Sequence, residues 1–123
     1  MEELNIQNII QHLRKFAKDR DWDQFHTPKN LSMALAVEAS ELLEQFQWLT
    51  EEQSLRLKDP AYDVDKRQAI SEEIADVLLY TFRMADILNI DLAAVTRDKL
   101  KKNAEKYPIN KSRGLATKYN QLK

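Results

Sequence analysis

An all-α fold, a bundle of four main helices with one short helix, is predicted by three features of this 123-residue chain. Apolar residues recur at three- and four-residue spacing through four long stretches. No stretch alternates apolar and polar residues as a half-buried strand would. The three prolines and the single glycine, at Pro28, Pro60, Pro108 and Gly114, read as breaks in the helical pattern. The length suits one domain over residues 1–123 with one core.

Taken in order, Ile6, Ile9, Ile10, Leu13, Phe16 and Ala17 predict an amphipathic helix over about residues 4 to 19. RDWDQFHTPK then reads as a connecting loop, although Trp22, Phe25 and His26 are large rings that need a surface to cover. Asn30 is the expected cap of a second helix reaching Trp48, with Leu31, Leu35, Leu42 and Leu49 as its apolar line. Thr50 with Gln53 resembles a capping box that opens a short helix ending near Lys58. Asp65 with Gln68 offers the start of a third long helix running to about Asn89. Asp91 caps a last one from Leu92 to about Lys106, with Leu92, Val95, Lys99 or Leu100, and Asn103 or Ala104 on its inner side.

Composition narrows the function. A net charge of −1 gives no overall case for binding a nucleic acid polymer or a membrane, though the tail from Arg97 onward is basic. Without cysteine there is no disulfide framework and no thiolate chemistry, so any metal site must be built from oxygen or imidazole. No apolar run approaches the ~20 residues of a membrane span, and MEELNIQN is too acidic and polar for a secretory signal, so the cytoplasm is the expected compartment.

The chemistry concentrates in two helices. Glu38 interrupts the apolar line of the second helix, and Glu41 follows at i+3. Glu73 and Asp76 repeat that spacing among Ile70, Ile74, Val77, Leu78 and Thr81. Acids at core positions are unfavourable unless a cation meets them. Two such pairs facing each other across a bundle place four carboxylates around one small volume, where oxygen ligands hold hard cations such as Mg²⁺. Trp48 continues the Glu41 line and Tyr80 the Glu73/Asp76 line, so an aromatic residue follows each pair.

Glu38-x-x-Glu41 with Glu73-x-x-Asp76 resembles the signature of the MazG-like nucleotide pyrophosphohydrolases of the all-α NTP pyrophosphatase superfamily. RDWDQFHTPKNL, FQW, EEIADVLLY, N-x-x-KYP and KYNQL extend the likeness over nearly the whole chain, toward the dCTP pyrophosphatases within it. The resemblance implies that Glu38, Glu41, Glu73 and Asp76 are the catalytic acids and bind Mg²⁺, or Mn²⁺ in its place. It further implies that Trp22, His26, Trp48 and Tyr80 form the nucleoside pocket, and that Lys99 and Asn103 reach the phosphates. The implied reaction is attack of a metal-activated water on the α-phosphorus of a nucleoside triphosphate, dCTP or a related deoxynucleotide, releasing monophosphate and pyrophosphate. Some members carry a histidine on the first helix, but Leu13 stands at that register here and His12 is one position away.

Two other readings stand beside it, a phosphoribosyl-ATP pyrophosphohydrolase-like enzyme and a non-catalytic helical interaction module. The Trp22–His26 loop and FQW suit the dCTP type better than the first. The apolar residues Leu78, Leu79, Phe82 and Met84 around one helix exceed what a small monomer needs to bury, and the family forms dimers or tetramers, so a homo-oligomer is expected.

Overall fold

The computed structural model describes all residues, Met1–Lys123, and contains helices and turns but no strand. The chain divides into two compact units, Met1–Asn89 and Ile90–Lys123. The first holds α1 (Ile6–Asp19), α2 (Pro28–Glu44), α3 (Glu51–Arg56) and α4 (Val64–Ile87). The second holds α5 (Leu92–Lys106) and a four-residue helix, α6 (Ile109–Ser112), that the periodicity does not announce.

Each helix of the first unit begins where a short polar side chain takes up an unpaired backbone N–H. Asn5 accepts from the Asn8 N–H at 3.0 Å to open α1. The end of α1 decides where Trp22 goes. Asp21 turns into the left-handed region (φ 55°), its N–H bonds to the Lys18 carbonyl at 3.1 Å, and the Trp22 N–H returns to the Ala17 carbonyl at 2.8 Å. This pair of bonds ties off the last carbonyls of the helix. It folds Trp22 back edge-on to Phe16, with ring centroids 5.6 Å apart at 71°.

The loop that follows contains one 3₁₀ turn, Asp23–Phe25, and is shorter than the sequence suggests, because α2 starts at Pro28. Thr27, not Asn30, is the cap: its hydroxyl accepts from the Asn30 N–H at 3.2 Å, while the Asn30 amide donates back to the Phe25 carbonyl at 3.0 Å. Proline is suited to the first helical position, where its fixed φ fits and no N–H is needed, so the break read at Pro28 is a beginning. At its other end α2 stops at Glu44, and residues 45–48 form turns short of the expected Trp48. The Thr50–Gln53 capping box forms in both directions, at 3.1 and 2.9 Å. Asp63 rather than Asp65 caps α4, accepting from the Lys66 N–H at 3.1 Å, and a left-handed Asn89 (φ 55°) follows the helix's end.

α2 packs along α4, and α1 packs on α4 as well. The core they share is small: Ile10 and Ala17 from α1, Leu31 from α2, Leu57 just after α3, and Ile70, Phe82 and Ala85 from α4. Leu31 is 2% exposed, and burying a leucine to this degree stabilises by about 1.5–3 kcal/mol. Ile74, Leu78, Val37 and Leu43 remain on the surface.

In the second unit Asp91 caps α5 by accepting from the Ala94 N–H at 3.1 Å, as expected. The inner face expected of α5 is only partly realised, since Leu92 is half-buried but Val95, Leu100 and Ala104 are exposed. A segment this short has too little chain to cover a full helix face. Its tail turns back on itself, with Tyr119 edge-on to Tyr107 at 6.3 Å and the Lys106 ammonium 4.6 Å over the Tyr119 ring. No helix is long and apolar enough to cross a membrane.

The exchange of caps is directly measurable. Thr27→Ala is expected to lower unfolding free energy by about 1 kcal/mol and Thr27→Ser to restore most of it, read from denaturant midpoints. A neutral Thr27→Ala would return the cap to Asn30.

Candidate active site

Facing turns of α2 and α4 carry the four acids. Glu38, Glu73 and Asp76 each offer a carboxylate oxygen, and these oxygens lie within 4.8 Å of one another. Glu41 stands outside that trio, though it is among the causes that raise the pKa of Glu38. All four are half-buried. Glu38 registers the crowding most strongly: burial, then hydrogen bonding to Glu73 and Glu41, then the charges of Glu41 and Asp76 push its pKa up to about 7.

Two oxygens of the cluster, Glu38 Oε2 and Glu73 Oε2, are buried with no hydrogen-bond partner. Buried acceptors of like charge are unfavourable when left alone, and the carboxylates gathered here could hold a cation. The donors are all carboxylate oxygens, which suits a hard divalent ion rather than a thiophilic one. The residues present therefore fit a metal site.

Beside the acids lies a cleft of about 660 Å³ between α1, the α1–α2 loop and α4. Ile9, Leu13, Phe16, Trp22, Leu79 and Tyr80 give it apolar and aromatic walls, while Asn8, His12, His26, Asp76 and Arg83 supply its polar groups. Asp76 belongs both to this cleft and to the acid cluster, and Tyr80 follows it by one helical turn. Trp22 sits edge-on to His26 at 6.3 Å and 63°. Three of the four expected pocket residues, Trp22, His26 and Tyr80, thus line one cleft.

The fourth does not. Trp48 follows the C-terminal end of α2, is 86% exposed, and is absent from the cleft walls. Lys99 and Asn103 belong to the second unit, where they line a shallow surface hollow with Val95, Thr96, Asp98, Leu100 and Lys102. The positive charge of Lys106 is the main cause that lowers the pKa of Lys99.

The sequence reading missed a charged network beside the cleft. Arg83 donates to Asp23 at 2.7 Å, to Asp86 at 3.4 Å and to His26 at 3.0 Å, and Arg14 donates to Asp86 at 2.8 and 2.5 Å. The hydrogen bond to Arg14 is the main cause that holds Asp86 below the usual carboxylate range. One signal was available in the sequence, an arginine inside the apolar run VLLYTFRMADIL with an aspartate at i+3. His12 carries no comparable signal, yet it lines the cleft alongside Leu13.

Glu38 gives the metal-free protein a characteristic pH response. Its folded pKa of about 7 lies above the ordinary 4.5, so its stabilising contribution is complete below about pH 4.5 and is lost as pH rises to about 7. In chelator, Tm is expected to fall between about pH 5 and about pH 7.5, and the fall to shrink in Glu38→Gln. A divalent cation added at about pH 8 is expected to raise Tm in the wild type. Identical pH slopes for the two proteins would show that Glu38 is not the group responsible.

Known proteins resemble this chain in sequence and fold. Residues 33–122 match the MazG-like family, a stretch that draws on both units and includes all four acids. Over 120 residues, 98% of this chain and 69% of the relative, the sequence is 38% identical to dCTP pyrophosphatase 1 of Rattus norvegicus. Over the same span it is 35% identical to dCTP pyrophosphatase 1 of Homo sapiens. A crystal structure of a pyrophosphatase from Archaeoglobus fulgidus superimposes with a TM-score of 0.76 at 33% identity, covering 88% of this chain and 96% of that one. With the paired acids on α2 and α4 and a match over most of its length, the chain belongs to the MazG-like family.

Proposed function

We propose that this protein hydrolyses a deoxynucleoside triphosphate, with dCTP as the leading substrate, to the monophosphate and pyrophosphate in the presence of Mg²⁺. The enzyme class follows from its family and from relatives named dCTP pyrophosphatase that align with nearly all of it. The observation that carries the rest is the sharing of Asp76 between an acid cluster and an aromatic cleft. A base held by Trp22, His26 and Tyr80 places its triphosphate toward Glu38, Glu41, Glu73 and Asp76. The phosphate nearest the nucleoside, the α one, then lies closest to the acids.

Glu38, Glu73 and Asp76 hold the cation directly in this reading, and Glu41 acts on Glu38 or on a second ion. Bound there, Mg²⁺ supplies a lowered pKa for water and neutralises charge on the leaving pyrophosphate. Trp22 and Tyr80 offer ring faces to the base, a contact worth ~1–3 kcal/mol per stacked ring. Lys99 and Asn103 are assigned to the phosphates by resemblance to the family, and they lie one turn apart on a basic helix.

A homo-oligomer, dimer or tetramer, belongs to the same proposal. Val37, Leu43, Trp48 and Ile74 are exposed apolar residues on or next to α2 and α4, and a second copy would remove them from water. The role of Trp48 in the pocket depends on that assembly, because it stands outside the cleft of its own chain.

Hydrolysis of dCTP in ¹⁸O-labelled water is expected to place the label in dCMP. Label found only in pyrophosphate or free phosphate would move the attack away from the α-phosphorus. Asp76→Asn should reduce turnover by roughly two orders of magnitude or more while keeping the protein folded, since a ligand charge is lost but like-charge repulsion is relieved. Full activity in that variant would remove Asp76 from the site, and absence of turnover on every nucleotide tried would favour a non-catalytic module. For assembly, light scattering at micromolar concentration is expected to give a dimer or tetramer mass, and a monomer mass would overturn it.

A further inference from the structure

Arg83 is the one charged residue that the fold buries, with 5% of its surface exposed. A guanidinium removed from water has to find acceptors for its donors. Asp23 and Asp86 take two of them, and Arg14 holds Asp86 from its other side. The remaining bond, Arg83 Nε–H to His26 Nδ1 at 3.0 Å, constrains the histidine. A guanidinium has only donors, so Nδ1 must present a lone pair. In a neutral imidazole the proton then sits on Nε2. Burial first, and the charge of Arg83 second, lower the pKa of His26 and keep the ring neutral, against a smaller opposing effect of Asp23.

The geometry points to Arg83 as a positioning residue that fixes His26 as an Nε2–H donor, so that the cleft recognises the acceptor edge of a base. Carbonyl oxygens and unprotonated ring nitrogens are such acceptors, and cytosine carries both at O2 and N3. This rests on reading the cleft as the base pocket. It assigns that pocket a donor which a freely tautomerising histidine would offer only part of the time. Arg83 itself makes no contact with the base in this scheme and acts through His26. The cluster is balanced in charge, with Arg14 and Arg83 against Asp23 and Asp86, so it is built to remain intact when the cleft fills.

The test begins with the unaltered full chain labelled with ¹⁵N, the His26 ring signals being identified by their loss in His26→Gln. Long-range ¹⁵N–¹H correlation is expected to report a protonated Nε2 and an unprotonated Nδ1. Arg83→Met keeps the length and burial of the side chain without its donors. Asp86 retains Arg14, and Asp23 is open enough to be hydrated, so the fold has a route to survive. In that variant the two tautomers are expected to mix. With Mg²⁺ present, KM for dCTP should rise roughly fivefold or more while kcat stays within about twofold, as for the loss of one neutral hydrogen bond in binding. A protonated Nδ1 in the unaltered protein overturns the inference, and that measurement stands even if Arg83→Met fails to fold. Unchanged KM in a folded Arg83→Met also overturns it. An active enzyme with the wrong tautomer sinks this inference alone, whereas absence of turnover on any nucleotide sinks the functional reading and the recognition of a base with it.

Discussion

The fold is arranged around an unfavourable interaction, the confinement of Glu38, Glu41, Glu73 and Asp76 between α2 and α4. Glu38 occupies a position in the apolar line of α2 that a leucine would fill, and its pKa near 7 shows how far burial and its neighbours oppose its charge. Packing of α2 along α4, anchored at Leu31, Ile70 and Phe82, holds these groups together against their repulsion. The apolar core is modest, so the crowding of the acids weighs heavily on stability.

α4 treats charge in two opposite ways within about three helical turns. At Glu73 a buried oxygen is left without a partner. At Arg83 each guanidinium nitrogen has an acceptor, in Asp23, Asp86 or His26. Breaking a paired buried charge is strongly destabilising, so the Arg83 end is held by its partners. The Glu73 end keeps an unpaired buried acceptor among acids that could hold a cation. The cleft lies where these two regimes meet, with Asp76 contributed by one and His26 oriented by the other.

Local rules and long-range contacts divide the account of this protein. Periodicity alone places the long helices to within a few residues, because i, i+3 and i+4 spacing on one face is a property of the helix itself. The Thr50–Gln53 box and the Asp91 cap are legible for the same reason, their partners being three residues apart. So are the two acid pairs, since Glu38–Glu41 and Glu73–Asp76 each sit on one face whatever the helices pack against. Where local rules compete, the reading slips: Thr27 before Pro28 outranks Asn30 as a cap, and Asp63 outranks Asp65.

What only the tertiary structure decided lies farther along the chain. His26 meets Arg83 across 57 residues and Arg14 meets Asp86 across 72, and no spacing rule reaches that far. The same holds for the trio within the acid cluster, which takes Glu38 from one helix and Glu73 and Asp76 from another while Glu41 stays one step outside. Trp48 follows an acid line in sequence, but α2 ends before reaching it, so its ring is exposed and lies outside the walls of the cleft that Trp22, held by the turn at Asp21, helps to line. The sequence by itself determined which long helices form and which of their faces carry acid. Which of those side chains share a space depended on how the helices pack, because packing brings together groups that the chain's own periodicity leaves unrelated.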